Sequence, residues 1–291
     1  MNRELVEQSI GQAATATTEW QDYPTGGVHT VVGTVKVSSA QFGPPGSELR
    51  HLLVYLPPSY GWSDRRYPVI YMHDGQNLFD AATSFSGEWQ VDETLEALSA
   101  EGIEAIIVGI PNAGPQRSAE YSPFHHPWLG NGRAASYVRF LTDTVKPLID
   151  RTFRTQPDRA HTGTAGSSLG GLVSLYAFFA AAEVFGFAGV FSPALWSTGG
   201  KMAALVQQTP FLGGRIYMDV GDQETPDVRG RREAYINDAQ RMAELLRAKG
   251  YRPADLQFHV ALGGQHHESS WAARLPAALR FLLAGLDTAG G

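Results

Sequence analysis

The chain has no cysteine in 291 residues, which removes disulfides, thiolate metal sites and cysteine nucleophiles together. Any nucleophile it uses must be an oxygen or an amine. It also lacks a surplus of positive charge: 23 Lys and Arg stand against 29 Asp and Glu, a formal net charge of -6 with a pI near 5.8. No Lys/Arg cluster breaks that balance, so the chain has no electrostatic footprint for nucleic acid. No run approaches the roughly 18 apolar residues of a membrane span, and residues 1–7 (MNRELVE) lack an apolar signal core. The expectation is a cytoplasmic protein with no membrane partner. Internal repeats, coiled-coil heptads and domain linkers are missing too. What remains is a chain with 43% hydrophobic residues, long enough to bury one large core.

Residues 1–25 are polar with an Ala/Thr run and no clear period, and read as an N-terminal arm that packs on the body or on a partner. Residues 26–286 read as a single domain, with a homo-oligomer left open. Segments 28–38 and 49–56 have the β-branched content of neighbouring antiparallel strands, separated by the turn-rich FGPPG of 42–46. Segment 67–73 (YPVIYMH) is a short apolar run suited to a strand covered on both faces, and it stops at Asp74-Gly75-Gln76-Asn77. Helix at 89–98, strand at 105–110 and an amphipathic helix at 134–151 follow. Segments 187–191, 202–208, 215–220, 234–249, 256–262 and 271–283 continue the alternation. That order predicts an α/β fold: a mostly parallel twisted sheet with helices on both faces, an antiparallel N-terminal edge and no large lid.

The densest chemical signal is HTGTAGSSLGGLVSLYAFF at 161–179, which contains G-x-S-x-G as Gly166, Ser168 and Gly170. A serine attacks only if its oxygen stands clear of the backbone, near a base and near amides able to hold an oxyanion. A sharp strand-to-helix turn supplies that exposure, and side chains two residues either side are expected to collide with neighbours, hence the glycines. The following helix is apolar almost all round and must be buried. Its N-terminus directs free amides at the serine, and that of Leu169 is the natural first oxyanion donor.

A serine hydrolase of this kind needs, in chain order, the serine, an acid and a histidine. Strand 215–220 runs into Gly221-Asp222-Gln223-Glu224-Thr225-Pro226-Asp227, and strand 256–262 runs into Gly263-Gly264-Gln265-His266-His267-Glu268. Glu224 is the favoured acid, with Asp222 and Asp227 as alternatives in the same loop. His266 is the favoured base over His267, being nearer the glycine-rich turn. The second oxyanion donor is expected after the third strand, where Gly75 lets the backbone approach closely and the amide of Gln76 is placed to donate. Asp74, Gly75, Trp89, Arg117, Glu120, Tyr121, Trp128 and Trp196 fall in loops after strands or at helix starts, where they could line a substrate pocket. His125-His126 and the HESS of 267–270 hint at a metal hydrolase, but Trp271 stands where H-E-x-x-H needs its second ligand. No metal and no cofactor are expected.

With these residues in view the chain resembles the Putative esterase family of α/β-hydrolases, which includes enterochelin, feruloyl and acetyl-xylan esterases, esterase D-like enzymes and the antigen 85 mycolyltransferases. The resemblance runs from about residue 48 to 284 and is carried by VYLPP (54–58), YPVIYMHDGQ (67–76), EYSP (120–123), GSSLGG (166–171), SPALW (192–196) and HHESSW (266–271). It implies a carboxylic-ester hydrolase with Ser168 as nucleophile, His266 as base, an acid at Glu224, and oxyanion amides on Gln76 and Leu169, acting on a small-molecule ester. Where the family commonly places Asn after the histidine, this chain has His267. An acyltransferase with an alcohol acceptor and a non-catalytic binding protein of the same shape are the alternatives.

Overall fold

A computed structural model describes residues 18–127, 130–225 and 231–286, the side chain of Arg231 excepted. Nine strands form one sheet in the order β1-β2-β3-β5-β4-β6-β7-β8-β9. They are β1 Trp20–Asp22, β2 Thr34–Phe42, β3 Arg50–Leu56, β4 Val69–His73, β5 Ile106–Ile110, β6 Thr162–Ser167, β7 Phe187–Phe191, β8 Arg215–Gln223 and β9 Leu256–Gln265. Pairing is antiparallel from β1 to β3 and between β3 and β5, then parallel from β5 to β9. The predicted antiparallel edge and parallel body are both present.

The helices are α1 Val91–Ser99, α2 Arg117–Tyr121, α3 Ala134–Phe140, α4 Lys146–Thr152, α5 Leu169–Ala180, α6 Lys201–Gln208, α7 Arg231–Lys249 and α8 Glu268–Leu282. Among the described residues no helix is long and apolar enough to cross a membrane. The period-2 alternation of a strand divides β4 between two cores. Val69 and Tyr71 pack with residues of α3 to α7, whereas Ile70 and Met72 pack with residues of α1 and α8. The sheet is therefore sandwiched, and α5 is buried along nearly its whole length.

Three local differences from the expected elements have physical reasons. Trp20–Asp22, inside the stretch read as an arm, pairs with Lys36–Ser38 as the outermost strand; residues 1–17 lie outside the described residues. Strand β2 begins at Thr34 because Gly33, at φ 67°, turns the preceding segment away. The single helix expected over 134–151 is interrupted by a wide turn at Leu141–Val145. Pro147 cannot donate to the preceding turn, and its ring crowds the carbonyl four residues back, so the helix widens before it.

Candidate active site

Ser168 sits between the last residue of β6 and the first of α5 with φ 59° and ψ -121°, a conformation costly for any residue with a Cβ. It holds because the turn is tied down: the Ser168 amide donates to Phe191 O at 3.0 Å, and the Ala194 amide donates to Ser168 O at 3.0 Å. Gly166 is required sterically, since a Cβ there meets the Gly170 carbonyl carbon at 2.8 Å. Gly170 is not, with its nearest neighbour at an ordinary 3.4 Å. The second close approach is at Gly171 instead, where a Cβ lies 2.7 Å from Phe191 O. The motif's last glycine is thus less constrained than its neighbour, which lets α5 pass close to β7.

Beneath the elbow lies His73, with its Nδ1 2.9 Å from the Tyr137 hydroxyl and its Nε2 3.1 Å from Thr164 Oγ1. Burial lowers its pKa to about 3, and it stays neutral.

The loops after β8 and β9 bring one acid to one imidazole. His266 Nδ1 lies 2.6 Å from Glu224 Oε2; the carboxylate is fully buried, whereas the imidazole is 30% exposed. With Nδ1 donating to the carboxylate, Nε2 keeps its lone pair. Glu224 Oε1 accepts from Ser192 Oγ and from the Gly221 amide. Asp222 instead accepts from the Gly263 amide at 2.7 Å and staples the two loops together. Asp227 lies outside the described residues. His267 has turned to cap α8: its Nδ1 accepts from the Ser269 amide at 3.2 Å.

Among the described residues no direct hydrogen bond joins Ser168 to His266; the two meet at Tyr235. Its hydroxyl donates to Ser192 O at 2.8 Å, and the Ser168 and Trp196 side chains lie beside it. Its ring centroid is 5.8 Å from that of His266.

The loop after β4 is equally constrained. Asp74 takes a left-handed conformation at φ 56° and leads into a single helical turn over Gly75–Asn77. A Cβ on Gly75 lies 2.7 Å from backbone atoms of Gly109, Ile110 and Pro111, so only glycine fits. The Gln76 amide belongs to the first turn of that helix and the Leu169 amide to the first turn of α5, where amides have no partner inside the helix.

Several residues expected to line a pocket prove to be supports. Arg117 grips Asp74 through two bonds of 2.6 and 2.7 Å, and Asn112 Nδ2 donates to the same carboxylate at 2.7 Å. Tyr121 is fully buried; its ring lies under the Arg117 guanidinium, and its hydroxyl accepts from the Asp74 amide at 3.2 Å. Glu120 is buried and paired with Arg50 at 2.7 Å. Trp89 is a core residue, edge-on to Phe191 at 5.0 Å, because the loop ahead of α1 folds inward. These corrections share a cause: loop position does not reveal which way a side chain turns. Trp196 is 46% exposed beside Tyr235 and does face the surface. Trp128 lies outside the described residues.

Sequence reading missed Tyr235 and the network centred on Ser192. Trp271 Nε1 and Arg274 each donate to Ser192 Oγ at 3.0 Å, and Arg274 Nε pairs with buried Asp219 at 2.8 Å. Ser192 itself has φ 42°. The available signals were Trp271 and Arg274, one helical turn apart on α8, and the SPALW run that begins at Ser192.

The comparisons agree with this architecture. The family model described as Putative esterase matches residues 47–282. Protein YbbA of Bacillus subtilis (strain 168) is 24% identical over 240 residues, covering 80% of this chain and 92% of that protein. The endo-1,4-beta-xylanase/feruloyl esterase of Xylanibacter ruminicola is 26% identical over 75% of this chain, which spans only 27% of that longer protein. Ferri-bacillibactin esterase BesA of Bacillus subtilis is 29% identical over 44% of this chain and 46% of its own length. Among solved structures, siderophore hydrolase EstA from Aspergillus nidulans superposes with a TM-score of 0.68 at 18% identity, over 91% of this chain and 98% of that one. The chain belongs to the Putative esterase family and is a carboxylesterase-type hydrolase.

Proposed function

We propose that the chain is a serine carboxylic-ester hydrolase that works through an acyl-enzyme on Ser168, with His266 as base and Glu224 as its orienting acid. The observation that carries this reading is the 2.6 Å contact from His266 Nδ1 to Glu224 Oε2, at the same strand ends as the positive-φ serine. The imidazole is exposed enough to swing onto Ser168 when substrate enters, and such contacts tighten in the substrate complex. As Ser168 Oγ bonds to the ester carbon, its proton passes to His266 Nε2 and the carbonyl electron pair moves onto oxygen. The Gln76 and Leu169 amides receive that charge, each contributing about 3 kcal/mol. Collapse breaks the bond to the alcohol oxygen, which takes the proton from Nε2. Water then repeats the sequence and frees the acid and the serine.

Glu224, negative and buried, favours the imidazolium that forms midway. The substrate class is a small-molecule carboxylic ester; siderophore and feruloyl esters come first for assay because relatives carry those names. Replacing Ser168 with Ala and following p-nitrophenyl acetate release tests the proposal. Turnover equal to the wild type ends it.

A further inference from the structure

Outside the catalytic loops, Glu88, Asp92 and Glu93 bring one carboxylate oxygen each within 4.8 Å of one another. They lie at the start of α1 and just before it. Acids at a helix N-terminus are ordinary, and the dipole there offsets about half a charge. Three carboxylates exceed that. The disposition of their oxygens adds a second observation: Asp92 is fully buried, its Oδ2 accepts from the Val32 amide at 2.8 Å, and its Oδ1 is buried with no hydrogen-bond partner. Glu88 repeats the pattern: Oε2 accepts from Thr30 Oγ1 at 2.9 Å, while Oε1 is buried and unpartnered. Glu93 Oε2 is a third such oxygen.

Nearby Asp80 shows what a satisfied carboxylate looks like in this region. Both its oxygens are engaged, by His29, Tyr23, and the Thr30 and Ala82 amides. An orphaned buried carboxyl oxygen carries a full desolvation penalty.

We propose that Glu88, Asp92 and Glu93 form a binding site for a hard divalent cation, Ca2+ in the first instance. An all-oxygen, all-carboxylate donor set selects hard ions, and Ca2+ accepts protein carboxylates in irregular geometry more readily than Mg2+, which keeps its waters. The ion has a structural role: it ties the segment through Thr30 and Val32 to the first turn of α1, and none of its ligands belongs to the proposed catalytic set.

The test is calorimetric titration of the EDTA-treated full-length protein with CaCl2, together with thermal unfolding in EDTA and in Ca2+. Saturable uptake of one ion is expected, with a melting temperature that rises with the logarithm of free Ca2+. D92N and E93Q are each expected to weaken uptake about 10-fold or more, while S168A binds like the wild type. Two variants are used because D92N alters a fully buried side chain; circular dichroism shows which remains folded. Identical melting in EDTA and millimolar Ca2+ without saturable heat overturns the proposal, leaving a carboxyl cluster that shares protons. Unchanged affinity in a folded variant overturns it as well.

Discussion

Ser192 Oγ stands 2.5 Å from Glu224 Oε1, the carboxylate oxygen opposite the one that faces His266. The same hydroxyl accepts from Trp271 and Arg274. One serine at a positive φ thus fixes the rotation of the acid and ties it to α8.

Removing that hydroxyl with Ser192→Ala leaves Glu224 Oε1, Trp271 Nε1 and an Arg274 nitrogen each short of a partner. A loss of about 1–3 kcal/mol of stability is expected. A fall in kcat exceeding the change in KM is also expected, because the acid is no longer held square to the imidazole. Urea unfolding and steady-state kinetics on one preparation read both effects.

Tyr235 stands beside both Ser168 and His266. Tyr235→Phe keeps the ring against His266 but removes the oxygen that the serine hydroxyl approaches. Without that polar neighbour the serine hydroxyl is left to His266, an effect on the scale of one hydrogen bond, about 1 kcal/mol. Fluorophosphonate labelling of Ser168 should therefore become faster, by up to about 5-fold. Slower labelling assigns Tyr235 to holding the serine productively.

Gly75→Ala tests the proposed oxyanion loop. The added methyl meets three backbone atoms of the Gly109–Pro111 stretch at 2.7 Å, and the Gln76 amide must move with the loop. The expected loss is that of one oxyanion donor, about 100- to 1,000-fold in kcat. The far-ultraviolet circular dichroism spectrum should not change.

His73 makes stability depend on pH. Its folded pKa, lowered to about 3 by burial, lies below the ordinary value of 6.5, so between those limits the unfolded chain binds a proton that the folded chain does not. Stability is whole above pH 6.5 and declines as pH falls toward 3, by about 1.4 kcal/mol per pH unit from this group. Urea midpoints measured across that window should show a shallower slope in His73→Gln, by close to one proton.

The sheet was legible because its signals are local: the apolar runs 69–73 and 106–110 end at the turn-forming stretches DGQN (74–77) and PNAGP (111–115), and each becomes a strand. Ser168 and Gly166 were legible for a related reason, since backbone geometry restricts residue type within a few positions. The roles of Trp89 and Tyr121 were not, because burial of a loop side chain depends on elements far away in the chain. Tyr235 gave no signal either. It projects from the first turns of α7, and only the packing of that helix against β8 and β9 brings its hydroxyl to Ser192 and beside Ser168. The wide turn before Pro147 could have been anticipated from the proline alone.

The central claim is that Ser168 becomes covalently acylated with help from His266. Peptide mapping by mass spectrometry after brief exposure to an activated ester, beside a His266→Ala sample, addresses it directly. The account predicts one acyl adduct, on Ser168, that accumulates far more slowly in the variant. Ester turnover at the full wild-type rate with no adduct on Ser168, or with the adduct on another residue, contradicts it.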